Sequence, residues 1–151
     1  MTYGNGFLLQ LPFADNGFLS SPRAFLQIGE KDNYIHLLNV STIENKKHKL
    51  LMKSNEKLNI YKPPFWKKSM VKLDAIYKVE KCKELGSYLL SNGRVLDQVE
   101  LQRIQSKFND YKKDNQILES VTNSEQLQGY VVAQQVAVTT PEQTLGQDQQ
   151  Q

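Results

Sequence analysis

Lys67-Lys68-Ser69-Met70-Val71-Lys72-Leu73-Asp74-Ala75-Ile76-Tyr77-Lys78-Val79 reads as a β-strand with a basic approach. From Ser69 to Leu73 polar and apolar residues roughly alternate, the period of a half-buried strand. Side chains two apart on a strand share a face. Lys72 and Asp74 are therefore expected together on one face, with Val71, Leu73 and Ala75 turned the other way into a core. A cation and a carboxylate held on a rigid strand are either a surface ion pair or an acid–base pair, and the strand alone leaves both readings open.

On the N-terminal side the chain reads as a series of strands. Residues 7–11 form the first, ended by Pro12, and residues 13–22 form a long loop with Asn16-Gly17 at its tightest point. Arg23 to Gly29 is the second strand, Glu30 to Asn33 a hairpin connection, and Tyr34 to Ser41 a third strand rich in β-formers. Successive strands with short connections favour an antiparallel meander, and such sheets commonly curl into small barrels. Residues 42–49 look exposed, while Leu50-Leu51-Met52 and Leu58-Asn59-Ile60-Tyr61 are candidates for short strands. Pro63-Pro64 then breaks the chain and sets Phe65 and Trp66 beside Lys67 and Lys68.

Helix signals come later. Cys82 to Leu90 suits a short helix stopped at Ser91-Asn92-Gly93. Asp97 is a good N-cap, with Glu100 placed for a capping box and Leu96 and Leu101 for a hydrophobic staple. Leu101, Ile104, Phe108 and Tyr111 then recur at helical spacing, so a helix over about 97–112 should dock one apolar stripe on the sheet. After about Ser120 the chain turns Gln-rich, with nine Gln from Gln126 to Gln151. Gly129 to Ala133 could pair as a strand, and the tail from Pro141 onward reads as disordered. The expected layout is thus a mainly β (α+β) domain over residues 1–120 and a flexible tail over 121–151.

Composition narrows the function. A chain of 151 residues is one domain's worth, large enough to hold a core without disulfide or metal. The single Cys82 has no intramolecular partner, which fits a reducing, cytoplasmic setting. No apolar run approaches the roughly 20 residues of a membrane helix, and the first residues lack the layout of a signal peptide. No membrane association is therefore expected. Between Lys46 and Lys83 twelve Lys face three acids, a local balance of +9 within an overall +3. Such a concentration is either a solvated Lys-rich surface or the footprint of a polyanion, with RNA or DNA first among candidates. One Cys and two distant His, His36 and His48, make no recognisable zinc spacing, and there is no glycine-rich phosphate loop. No metal or other cofactor is expected.

What remains are polar residues at strand ends: Arg23, Ser41, Thr42, Lys72 and Asp74. Self-cleavage of RNA by its 2′-hydroxyl needs a base, an acid for the leaving 5′-oxygen and a cation for the phosphorane. Arginine suits that last task because its fork donates two hydrogen bonds to phosphate. Taken singly, each residue has an ordinary structural reading as well: a strand-edge charge, a turn former, a surface pair.

In this order the pieces resemble PemK/MazF-type toxins, small endoribonucleases of bacterial toxin–antitoxin modules. The resemblance rests on Pro22-Arg23-Ala24-Phe25-Leu26-Gln27-Ile28, on Leu38-Asn39-Val40-Ser41-Thr42, on the Ser69–Val79 stretch and on Leu96-Asp97-Gln98-Val99-Glu100-Leu101. It covers about residues 7–112. It implies a small SH3-like antiparallel barrel with flanking helices and a homodimeric, metal-independent ribonuclease acting on single-stranded RNA. It also implies a cognate antitoxin, either a protein or a small RNA. Carried over by position, Arg23 is the catalytic arginine, Ser41 (or Thr42) the hydroxyl residue, and Lys72 and Asp74 the acid–base pair. Phe65, Trp66, Lys67 and Lys68, with Thr42, would hold the RNA, since bases stack on aromatic faces. The chain departs from the pattern at Ala24, where the family has Pro, and at Lys72, where one branch has Arg. Outside this resemblance the alternative is a non-catalytic SH3-like module binding nucleic acid or protein, including a phage or plasmid accessory protein.

Overall fold

The computed structural model describes residues 3–130. They form a mainly β, α+β structure, as the sequence predicts. Its strands are β1 (Gly6–Leu9), β2 (Arg23–Lys31), β3 (Tyr34–Thr42), β4 (Asn55–Lys57), β5 (Ser69–Lys72), β6 (Ala75–Glu80) and β7 (Leu118–Thr122), with helix α1 (Gln98–Asp114) between the last two. β3 is the hub. It pairs β2 along one edge, and on the other it pairs β6 at its start and β5 at its end. β1 and β4 extend the sheet outward, all antiparallel, while β7 lies parallel beside β6. The β2–β3 hairpin turns at Asp32 and Asn33, whose φ values are 53° and 69°. A two-residue turn matched to strand twist needs both residues left-handed, and Asp and Asn tolerate this better than other residues bearing a Cβ.

The sheet is covered on both faces. Neighbouring residues Phe25 and Leu26 enter different cores, and so do Leu37 and Leu38. Phe7, Leu9, Phe25, Leu37, Tyr77 and Leu127 belong to the first core; Leu26, Leu38, Val71, Leu101, Ile104 and Phe108 belong to the second. Double coverage is why β2 and β3 read as apolar runs more than as clean alternation. α1 lies over the second core with the stripe expected for it, and Leu96 and Leu101 are both buried at its start. Asp97 caps the helix by accepting the Glu100 N–H at 3.0 Å. The other half of the capping box does not form. The Glu100 carboxylate turns away and accepts the Asn59 N–H at 2.6 Å and two bonds from Arg103 at 2.8 Å.

Other expectations are corrected. Leu50-Leu51-Met52 is not a strand: Lys47–Leu51 form a 3-10 turn with no buried residue, so no apolar contact recruits it to the sheet. The short strand near Leu58 lies earlier, at Asn55–Lys57. The helix expected over Cys82–Leu90 is two 3-10 stretches, Lys83–Tyr88 and Leu90–Gly93. The packed structure continues past residue 120 through β7 and a helical stretch over 124–130, where Leu127 is 1% exposed. Of the strand expected at Gly129–Ala133, Gly129 and Tyr130 are helical; the rest, with the remainder of the Gln-rich tail, lies outside the described residues. Among the described residues no helix is long and apolar enough to cross a membrane.

The most consequential correction is to the Ser69–Val79 stretch, which is not one strand. It breaks at Leu73-Asp74. Between the Val40–Val71 and Leu37–Tyr77 pairs, two residues of β3 stand opposite five of the other strand, Lys72 to Ile76. This is an enlarged bulge, the device by which a strand re-aims its side chains. Two of its backbone groups find partners outside β3. Leu73 N–H donates to Ser54 O at 2.7 Å, and Asp74 O accepts the Leu118 N–H at 3.0 Å.

Candidate functional site

The bulge opens a cavity of about 150 Å³ lined by Arg23, Asn39, Lys72, Asp74 and Tyr77, with Phe13 at its wall. Three of the four expected catalytic residues thus meet there, from the start of β2, the end of β5 and the bulge. Lys72 and Asp74 are not joined by an ion pair within 4.0 Å among the described residues. The plain ion-pair reading of the opening stretch therefore fails, and the two groups stand as separate walls of one cavity.

Arg23 is held in place with part of its donor capacity left over. Its Nε donates to Ser20 Oγ at 2.9 Å, Nη1 to the Tyr77 hydroxyl at 3.4 Å and Nη2 to Leu11 O at 3.2 Å. The guanidinium also lies over the Phe13 ring at 4.3 Å, and over Phe25 and Tyr77 at 5.2 Å each. Phe13 reaches it because the 12–19 loop folds back on itself. Phe13 N–H donates to Phe18 O at 2.9 Å, and Gly17 turns the loop at φ 76°, where a side chain would be strained. Of the five N–H donors of a guanidinium, one on each terminal nitrogen has no partner among these contacts. The result is a pre-oriented fork in a partly apolar setting, the arrangement that suits a phosphate oxygen.

Charges of both signs surround this arginine, since Asp15 and Asp74 line the same cavity as Arg23 and Lys72. Burial, then the Lys49 and Lys46 ammonium groups, push the Lys72 pKa below that of an ordinary lysine; Asp74 acts the other way, and Arg23 adds to the lowering. Lys46 Nζ donates to Ser41 Oγ at 3.2 Å. The Tyr77 hydroxyl accepts from Arg23 and, at 3.3 Å, from the Ala14 N–H, so its own proton remains to be donated. Asn39 is buried, its amide donating to Ala24 O at 3.0 Å. Asn39, Tyr77, Phe13, Lys46 and Lys49 were not singled out by the sequence. The basic run signalled the two lysines. Nothing local marked Tyr77, because the bulge resets which residues share its face.

The remaining expected residues lie elsewhere. Ser41, Thr42, Phe65, Trp66 and Lys67 line a second depression of about 280 Å³, together with Leu8, Ala24 and Pro64. Arg23 and Ala24 are consecutive, so they face opposite sides of the sheet, and the two depressions open on those opposite sides. Ser41, at the end of β3, lines the second only and accepts a hydrogen bond from Lys46, one of the cations that lower the Lys72 pKa. Phe65 is a core residue, 5% exposed, and cannot serve as an open stacking platform. Trp66, at 66%, can. Lys67 pairs with Glu44 at 3.6 Å, both well exposed, a contact worth little. Lys68 is exposed and lines neither depression. Among the described residues no group of three or more His, Cys, Asp or Glu is placed to hold a metal ion. Comparison with protein-family profiles, with curated proteins and with solved structures returned no match.

Proposed function

We propose that the protein is a PemK/MazF-like toxin endoribonuclease with an SH3-like core, cleaving single-stranded RNA without a metal. One observation carries this reading: Arg23, Lys72 and Asp74, from separate segments, line a single small cavity, with Lys46 and Lys49 close enough to act on Lys72. The exposed Asp74 carboxylate takes the 2′-hydroxyl proton. The 2′-oxygen forms a bond to phosphorus as the bond to the 5′-oxygen breaks. Lys72 delivers a proton to that leaving oxygen. The spare Arg23 donors and the Tyr77 hydroxyl receive the charge that builds on the phosphorane. Products are a 2′,3′-cyclic phosphate and a 5′-hydroxyl. The protein works as a cytoplasmic homodimer neutralised by a cognate antitoxin.

The test is incubation of the purified protein with a long single-stranded RNA in EDTA, with end-group analysis of the fragments. Cleavage to cyclic-phosphate ends is expected; intact RNA across several sequences would overturn the proposal. The acid role of Lys72 adds a pH prediction. Its protonated form is the active one, so cleavage should fall as pH rises through its pKa, and that fall should lie below the ordinary lysine value of 10.5. A lower pKa also makes Lys72 the better proton donor. Lys72→Arg should keep the charge and remove this alkaline limb; an unchanged limb would assign the acid elsewhere.

A second reading, a binding module without catalysis, is favoured by the apolar depression beside Trp66. It predicts RNA retention without product and no growth arrest on expression. Under either RNA-binding reading, Trp66→Ala should weaken binding of a single-stranded oligonucleotide by about 1–3 kcal/mol. Its thermal midpoint should stay unchanged, because an exposed side chain contributes little packing. Filter binding and a melting scan on the same sample check both halves.

A further inference from the structure

A cavity larger than the Arg23 site lies elsewhere in the molecule. It holds about 480 Å³ and lies on the other face of the sheet, between β2, β3, β6 and β7 and the second half of α1. β6 is the shared wall: Ala75 and Tyr77 face the Arg23 cavity, and Ile76 and Lys78 face this one. Such a volume falls in the range of about 300–1,000 Å³ usual for small-molecule sites.

Its lining has two chemical halves. The floor is apolar, made by Ile28, Ile76, Ile117 and Phe108. The helix side is polar. Gln105, Asn109 and Lys112 recur at spacings of four and three, so they stand on one face of α1 above that floor. Gln105 is anchored, its Nε2 donating to Ile28 O at 2.6 Å, which leaves its carbonyl oxygen as an acceptor. Asn109 has no hydrogen-bond partner among the described contacts, and Lys112 forms no ion pair there; its ammonium rests 5.4 Å from the centre of the Phe108 ring. Lys78, by contrast, is neutralised by Glu119 at 2.9 Å. His36 lines the opposite wall, and burial followed by Lys78 lowers its pKa, so it presents one donor and one acceptor at neutral pH.

An apolar floor, a primary amide free to make paired bonds and a cation without an ion-pair partner among the described residues match the parts of a nucleotide. The base has two apolar faces and an edge that Asn reads by a pair of bonds, and the phosphate suits Lys. We propose that this cavity binds a nucleoside monophosphate, with the base on the isoleucine floor, its edge toward Asn109 and its phosphate toward Lys112. The site is independent of the cleavage proposal, since none of its lining residues takes part in that chemistry.

Gly29 gives a clean test. It pairs with His36 across the β2–β3 ladder and so shares its face, and a Cβ built on it meets nothing within 4 Å. Its φ is not in the left-handed region, so Gly29→Leu should fold and fill the cavity. Calorimetric titration with adenosine or uridine 5′-monophosphate should show binding with Kd near or below about 1 mM. Adenosine alone and inorganic phosphate alone should each bind at least tenfold more weakly than the nucleotide (~1.4 kcal/mol). Gly29→Leu should abolish nucleotide binding with the melting temperature retained, and Lys112→Met should weaken it severalfold. The proposal is overturned if neither nucleotide binds at about 5 mM, if phosphate alone binds as tightly, or if Arg23→Ala loses binding that Gly29→Leu keeps.

Discussion

Under the proposed cleavage chemistry, Arg23→Ala is expected to reduce RNA cleavage by about 10³-fold, the loss typical when a pre-oriented donor to a developing charge is removed. The size follows from how the guanidinium is built in. It is fixed by three hydrogen bonds and by the Phe13 ring at 4.3 Å, so its free donors are aimed before substrate arrives. Arg23→Lys retains the positive charge but lacks the planar fork and cannot reproduce bonds to Ser20, Tyr77 and Leu11 together. It should therefore recover only a small part of the loss. Both changes also remove internal bonds, each worth about 1 kcal/mol, so circular dichroism and a melting scan must accompany the assay. Cleavage by Arg23→Ala at the wild-type rate, in a folded sample, would remove this residue from the site. Growth arrest on induced expression, followed with total-RNA integrity, reads the same difference in cells.

The largest effect on stability is expected at Glu100. This carboxylate is 4% exposed, accepts the Asn59 N–H at 2.6 Å and the Ile60 N–H at 3.4 Å, and is gripped by Arg103. Arg103 in turn reaches Glu56 at 2.6 Å and Lys57 O at 2.7 Å. Together the two side chains tie α1 to β4 and to the segment that follows it. Glu100→Ala leaves two backbone donors and part of a guanidinium without their acceptor, and should cost about 3 kcal/mol. Glu100→Gln keeps the volume and one acceptor oxygen and should cost less. The hydrogen bonds from Arg103 hold the Glu100 pKa below the usual glutamate range. With its folded pKa depressed, its contribution is complete above the unfolded value near 4.5 and is lost as pH falls through the folded value. Urea unfolding at pH 7 and at pH 4 or below should show wild type losing stability on acidification. Glu100→Gln should lose less. Equal losses would place the acid sensitivity in other carboxylates.

Glu100 also shows how far local patterns reach. The spacing from Asp97 correctly marked a helix start, and Asp97 caps it. The same spacing assigned Glu100 to the cap. It went to Asn59 instead, because the Asn59 and Ile60 N–H groups and the Arg103 guanidinium converge on it from elsewhere in the fold. Likewise the alternation from Ser69 onward identified strand-forming residues but not the break at Leu73-Asp74, which shows only in the register against β3. The Lys47–Leu51 turn and the strand at Asn55–Lys57 escaped for a related reason: neither carries an apolar period.

The sequence by itself determined the elements with local causes. β2 and β3 follow from β-forming runs, their turn from Asp32-Asn33, and α1 from its cap and its stripe of Leu101, Ile104 and Phe108. It also marked Arg23, Lys72 and Asp74 as residues to watch. Only the tertiary structure decided that those three meet in one cavity while Ser41, Trp66 and Lys67 line another. Only the tertiary structure joined Tyr77, Lys46 and Lys49 to them. The physical reason is that sequence periodicity specifies the face on which a side chain lies within one element, whereas a site is made by the register between elements. Here that register includes a bulge whose Leu73 N–H and Asp74 carbonyl bond to Ser54 and Leu118, residues that no pattern around Lys72 could have named.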